Sequence, residues 1–180
     1  HADIDRTQTV MEYLQTAFTR LYDLDAKLQK LYEEMGSVSD ENELDRMITR
    51  SNRMLEELTT AGFYDLDAQI KKVANGLGVN AFGYDTVIGT LSGGQRAKLM
   101  LSKLILEDLD VMLLDEPTNF LDVEHIDWLT KYLNSLEKTF MVISHDTDFL
   151  NGVCKYVVSI ENGSIRKYTG NYDQFLVAHE

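Results

Sequence analysis

The sequence predicts an α/β protein, with a helical N-terminal part joined to part of a mostly parallel sheet flanked by helices. Three observations predict it. Leu14, Phe18, Leu21, Leu24, Leu28, Leu31 and Met35 recur at spacings of three and four, one stripe of a helix. Val111–Leu114 and Phe140–Ile143 are short uninterrupted apolar runs separated by a helical pattern over Ile126–Leu136, as buried parallel strands require. Glu161-Asn162-Gly163 separates two strand-like stretches and reads as a hairpin turn.

In chain order, the first helix ends at Gly36-Ser37-Val38-Ser39-Asp40. Asp40 with Glu43 has the spacing of a capping box. The second helix carries Leu44, Met47, Ser51, Leu55 and Leu58 on one face and ends near Gly62. The two helices form an antiparallel hairpin over about residues 10–62. A third helix runs from about Asp65 to Asn75, with Leu66, Ile70 and Val73 on one face, and Gly76 and Gly78 end it. Another helix follows Ser92 as far as about Leu106. After the two apolar strands, Tyr156–Ile160 and Ser164–Tyr168 form the hairpin, and a last helix starts near Tyr172. The chain thus divides into a helical region (1–107), a sheet region (108–170) and the start of a further helix (171–180). There is no internal repeat and no low-complexity segment.

Length and composition fit one domain with a substantial core: 180 residues, 44% hydrophobic and 26% charged. No apolar run approaches the roughly 18–20 residues needed to span a bilayer, and no signal-peptide pattern opens the sequence. The expectation is a soluble intracellular protein. Cys154 is the single cysteine, so no intrachain disulfide forms, and its apolar neighbours mark it as packing. The net charge of −13 is spread evenly, with no basic patch visible. Nucleic-acid contact would have to come from a few local residues or from outside this chain.

Three motifs carry chemistry. Leu91-Ser92-Gly93-Gly94-Gln95 places two glycines at a helix N-terminus, where free N–H groups favour an anion. It also reads as an ordinary Ser-capped helix start. Val111–Leu114 leads into Asp115-Glu116-Pro117, two acids at the carboxyl end of a strand, where α/β sheets bind ligands. Asp115 there would hold Mg²⁺. Glu116 would polarise a water for attack on phosphorus. Pro117 predicts an extended Glu116. Ser144-His145-Asp146 ends the next strand, and His145 there can reach a γ-phosphate. The plainer reading is a helix cap with a bystander histidine. Trp128 reads as packing, His125 as a surface residue, and no Cys/His metal site is present.

The order of these motifs resembles the ATP-binding-cassette superfamily: a signature loop, a Walker B strand with its acidic pair, then a switch histidine. Leu114–Asp122, Gln95-Arg96, Ile143-Ser144-His145-Asp146 with Phe149-Leu150-Asn151, and Tyr168-Thr169-Gly170-Asn171-Tyr172 resemble its ABC-F family. The resemblance covers the whole chain, most specifically residues 88–172. It implies a partial ABC ATPase domain whose helical subdomain bears an arm hairpin, in the first of two cassettes. The last helix then starts the linker between cassettes. It implies ATP and Mg²⁺ as cofactors, with Asp115 on the metal and Glu116 and His145 catalytic. Ser92, Gly93 and Gly94 would clamp ATP held by the second cassette, and Gln95 and Asp122 are also implied to bind the nucleotide. The implied partners are that cassette, the ribosome and tRNA, with no membrane, in translation or antibiotic protection.

Two departures from the family pattern stand out. Phe120 occupies a position where the family usually has His, keeping packing but losing a polar contact across the two cassettes. The phosphate loop G-x-x-x-x-G-K-[ST] is absent: Gly89 and Gly94 have the spacing, but Gln95-Arg96 follows. In the family that loop and the Q-loop glutamine precede the region resembled here, and His1-Ala2-Asp3-Ile4-Asp5 resembles the residues just after the Q-loop. The expectation is that this chain alone neither grips nor hydrolyses ATP. It would also expose a sheet edge and self-associate through it. A transporter subunit, a chromosome-maintenance ATPase and a non-enzymatic interaction module are the competing classes. Against the first two stand the adjacent Gln95-Arg96 with the Thr118-Asn119-x-Leu121-Asp122 run, and the shortness of the hairpin.

Overall fold

The computed structural model describes residues 4–179, so most of the Q-loop-like stretch at residues 1–5 lies outside the described residues. The chain folds as α1 (Val10–Gln15), α2 (Thr19–Met35), α3 (Glu41–Thr60), α4 (Leu66–Gly76), α5 (Gly93–Leu106), β1 (Val111–Asp115), α6 (Val123–Ser135), β2 (Thr139–Ile143), α7 (Thr147–Val153), β3 (Tyr156–Glu161), β4 (Ser164–Thr169) and α8 (Tyr172–His179).

The continuous helix expected from Leu14 to Met35 is broken. Thr16–Phe18 forms a 3₁₀ turn, with Phe18 at φ −124°, ψ 25°. The cause is that its apolar stripe serves two cores. Val10 and Leu14 of α1 join a large cluster with Ile70 and Val73 of α4, Leu99 of α5, Met112 and Leu114 of β1, and Leu129 and Leu133 of α6. Leu21, Leu28 and Leu31 of α2 instead pack with Met54 and Leu58 of α3 and with Leu66. One straight helix could not face both. Phe18 packs against each cluster. The hairpin therefore begins at Thr19 rather than near residue 10.

On α3 the inward face differs by one position from the sequence reading. Met54 is buried, whereas Leu55 is exposed. Met47, Ser51, Met54 and Leu58 form the helical stripe, each full apolar burial contributing about 1.5–3 kcal/mol. Asp40 caps α3, accepting from the N–H groups of Asn42 (2.8 Å) and Glu43 (3.2 Å). Arg20 pairs with Glu57 across the hairpin.

β1 and β2 pair in parallel, from Val111↔Thr139 to Asp115↔Ile143. Their composition predicts burial on both faces, yet only one is covered. Met112 and Leu114 face the core, while Val111, Leu113, Met141 and Ile143 on the other face are exposed. Among the described residues nothing lies over that face, and the sheet has only these two strands, so both are edges. β3 and β4 pair antiparallel around Asn162 (φ 49°) and Gly163 (φ 74°), the left-handed pair that a two-residue type I′ turn needs. Asn171 and Gln174 bond reciprocally at the start of α8, and Asp173 N–H donates to Asn151 Oδ1 (3.0 Å), docking α8 on α7.

His125 is not a surface bystander. It is half-buried, with Nδ1 2.9 Å from the Gly76 carbonyl at the end of α4. A Cβ at Gly78 would lie 2.5 Å from His125 Nε2, and one at Gly76 would lie 2.0 Å from the Trp128 ring. The two glycines thus make room for α6 as well as ending α4. Trp128 also stacks on Tyr132, centroids 4.8 Å apart. Cys154 is half-buried, and burial pushes its thiol above the ordinary cysteine range.

Candidate functional site

Parallel pairing of β1 and β2 brings the two polar strand ends together. The ladder continues one residue past β1, where Glu116 N–H donates to the Ile143 carbonyl (2.7 Å). Glu116 is not extended, as Pro117 predicted, but left-handed at φ 48°. Proline at the next position disfavours the right-handed helical region and favours extended backbone. What selects the left-handed region is a set of bonds around this one residue. Besides the bond to Ile143, the Glu116 carbonyl accepts from Asn119 N–H (3.3 Å), turning the chain sharply off the strand. Its carboxylate meets His145. Glu116 Oε2 accepts from the His145 backbone N–H at 3.3 Å, and Oε1 lies 3.4 Å from His145 Nε2. A non-glycine residue held at positive φ costs on the order of 1–3 kcal/mol and marks sites over-determined by their surroundings.

Around this pair the histidine ring is 99% exposed, while the Glu116 side chain is 23% exposed. One member is anchored and the other faces outward. Ser144 Oγ accepts from Asp146 N–H (3.0 Å), and Asp146 caps α7 by accepting from Phe149 N–H (2.9 Å). The plainer reading of Asp146 as a cap thus holds alongside the placement of His145. Asp115 is exposed at the strand end, on the face that Leu113 shares. No cluster of three or more His, Cys, Asp or Glu able to hold a metal occurs among the described residues. A single exposed carboxylate nonetheless fits Mg²⁺, which keeps several waters and takes one or two carboxylates plus phosphate oxygens.

At the other motif, Ser92 and Gln95 close a capping box: Ser92 Oγ accepts from Gln95 N–H (3.2 Å), and Gln95 Oε1 accepts from Ser92 N–H (2.8 Å). The Gln95 side chain is therefore occupied within the loop. Arg96 donates to the Leu91 carbonyl and ties the loop from behind. Ser92 and Gly93 are exposed, and a Cβ at Gly93 would meet nothing within 4 Å. The fourteen-residue α5 thus opens to solvent at its N-terminus, where its dipole favours an anion. Asp122 is exposed at the start of α6, and its side chain makes no cap hydrogen bond there.

A groove of about 550 Å³ runs between α5 and β1, lined among others by Lys98, Leu101, Asp115, Glu116 and Phe120. The fold brings Asp115, Glu116 and His145 to one end of the sheet. It brings Ser92, Gly93 and Gly94 near the acidic turn through Phe120, whose ring covers Gly94. That in-chain contact was not legible in the sequence. Neither was the role of Thr118, which is buried and accepts from Leu121 N–H (3.1 Å), anchoring the turn. A threonine beside proline gives no periodic signal.

The sequence profile of the ABC transporter family matches residues 6–119, more than half of the chain. The chain belongs to the ATP-binding-cassette family. The chain is 33% identical to ABC transporter F family member 5 of Arabidopsis thaliana over 98% of this chain and 26% of that protein. The chain is 37% identical to the uncharacterized ABC transporter ATP-binding protein YfmM of Bacillus subtilis over 100% of this chain and 35% of that protein. It is 34% identical to the energy-dependent translational throttle protein EttA of Mycobacterium tuberculosis over 86% of this chain and 27% of that protein. In fold it is similar to the archaeal ribosome recycling factor aABCE1, solved in complex with ribosomal stalk protein aP1. The TM-score is 0.55 at 22% identity, over 99% of this chain and 28% of that one. The chain spans about a third or less of the length of these relatives. No helix among the described residues of this cassette segment is long and apolar enough to cross a membrane.

Proposed function

We propose that this chain is the signature-to-histidine part of the first cassette of an ABC-F ATPase, which couples ATP binding and hydrolysis to work on the ribosome in the cytoplasm. The observation that carries the reading is the Glu116–His145 pair at the end of a parallel sheet, beside an unpartnered Asp115.

In this reading Glu116 orients the attacking water and takes its proton, while His145 reaches the γ-phosphate from its exposed position. Asp115 would hold Mg²⁺, which would supply charge neutralisation at the phosphate oxygens. The open α5 N-terminus, with Ser92, Gly93 and Gly94, covers ATP bound by the second cassette, and Asp122 lies beside it. Gln95 acts from within the capping box, shaping the loop rather than reaching out. Proton transfer by a positioned group of this kind contributes about 10²–10⁴-fold.

The name of EttA supports translation as the process; in this reading the protein acts as a translation factor or in antibiotic protection. A contact with ribosomal RNA or tRNA needs local positive charge on a chain of net charge −13. Arg46, Arg50 and Arg53 supply it, exposed at helical spacing on one face of α3.

The test is Glu116→Gln in the intact ATPase. Turnover should fall by about 10²-fold or more, and ribosomes should be retained in the presence of ATP. Unchanged turnover would remove Glu116 from the chemistry. Recovery of membrane subunits in place of ribosomes would favour a transporter.

A further inference from the structure

We propose that Phe120 is a positioning residue that ties the turn after Glu116 to the first turn of α5, and so sets how firmly the Ser92–Gln95 loop holds the nucleotide it faces. The inference rests on the reading of that loop as ATP-facing.

The contact is between a ring and a bare backbone. A Cβ built at Gly94 would lie 3.3 Å from Phe120 Cδ1, 3.8 Å from Cγ and 3.9 Å from Cε1. The neighbouring Gly93 has nothing within 4 Å. The ring therefore covers one glycine of the loop and leaves the other open. It shares the groove with Ala97, Lys98 and Leu101, which lie on the same face of α5 as Gly94 at spacings of three, four and seven.

Phe120 is 56% exposed, so burial alone does not explain its placement. Its backbone is held on both sides: Asn119 N–H bonds the Glu116 carbonyl, and Leu121 N–H bonds that of the buried Thr118. A shift of Glu116 thus reaches the α5 N-terminus through one short turn and one ring contact. In the proposed reading these two ends serve two different ATP sites. Phe120 is then the in-chain link between the group that promotes hydrolysis at one site and the loop that covers nucleotide at the other.

Steady-state ATP turnover of the intact ATPase tests this with F120A, F120Y, G94A and the G94A/F120A double variant. Loosening the loop removes binding shared by ground and transition states, so F120A should raise KM about fivefold with kcat held within about twofold. F120Y, which keeps the ring, should restore KM. G94A puts a methyl under the ring and should raise KM in the wild-type background, but much less in the F120A background, because contacting residues couple. An unchanged KM in F120A, a loss confined to kcat, or an equal G94A penalty in both backgrounds overturns the proposal. Should F120A fail to fold, F120Y and G94A decide it: G94A with wild-type KM overturns it. E116Q separates the two levels. If E116Q leaves turnover intact, the reading of the site fails; if E116Q abolishes turnover while F120A and G94A leave KM alone, only the role of Phe120 fails.

Discussion

Both carboxylate oxygens of Glu116 face His145, one toward its backbone N–H and one toward its ring. The backbone bond fixes the carboxylate, and the ring stays free to turn outward. His145→Ala in the intact ATPase should therefore lower kcat by about 10²-fold or more. Stability should move by no more than about 0.5 kcal/mol, as expected for an exposed side chain. Thermal melting and single-turnover hydrolysis measure the two effects separately. Wild-type turnover in this variant would reduce His145 to a spectator.

The isolated 180-residue chain has no G-x-x-x-x-G-K-[ST] sequence. Titration calorimetry of this chain with Mg-ATP should show no micromolar binding, and phosphate release should stay at the level of buffer. A micromolar Kd would mean that the α5 N-terminus and Asp115 suffice for ATP, contrary to the two-cassette reading.

The uncovered face of β1 and β2 should make the isolated chain self-associate. Val111, Leu113, Met141 and Ile143 form an apolar patch beside two unpaired strand edges. Sedimentation velocity should show dimers or larger species, and a Leu113→Lys, Met141→Lys double change should shift the population toward monomer. A clean wild-type monomer at tens of micromolar, an order-of-magnitude working range for such contacts, would count against it.

Gly76→Ala should destabilise the fold through crowding rather than backbone strain. Its methyl would collide with the Trp128 ring, which is held by its stack on Tyr132. Overpacking of this kind costs typically about 1–3 kcal/mol, readable as a lower denaturation midpoint. Equal stability would show that α6 can shift without cost.

Much of this fold was legible because it follows periodicity and punctuation. The α3 start at Asp40, the hairpin at Asn162-Gly163 and the two parallel strands all rest on local chemistry. The break at Thr16–Phe18 was not legible, because Leu14 and Leu21 lie on one helical stripe whichever core each joins. His125 was misjudged for a related reason: its partner, the Gly76 carbonyl, is distant in sequence and has no side chain to advertise it. At the site the identities were legible and the conformation of Glu116 was not. The rule for residues before proline is statistical, whereas here the bonds to Ile143, Asn119 and His145 decide.

The bend at Phe18 also has a mechanical meaning. α2 has 17 residues, a rigid rod of about 25 Å, so a rotation of about 10° at the joint carries the far end of the hairpin through about 4 Å. The short segment on the other side of the joint, α1, is seated in the core that also holds β1 and α5. Phe18 sits at the joint and packs against the cores on both sides of it. α1 has 6 residues, about 9 Å, so any rotation about this joint would carry the far end of the hairpin about three times as far as the near end of α1.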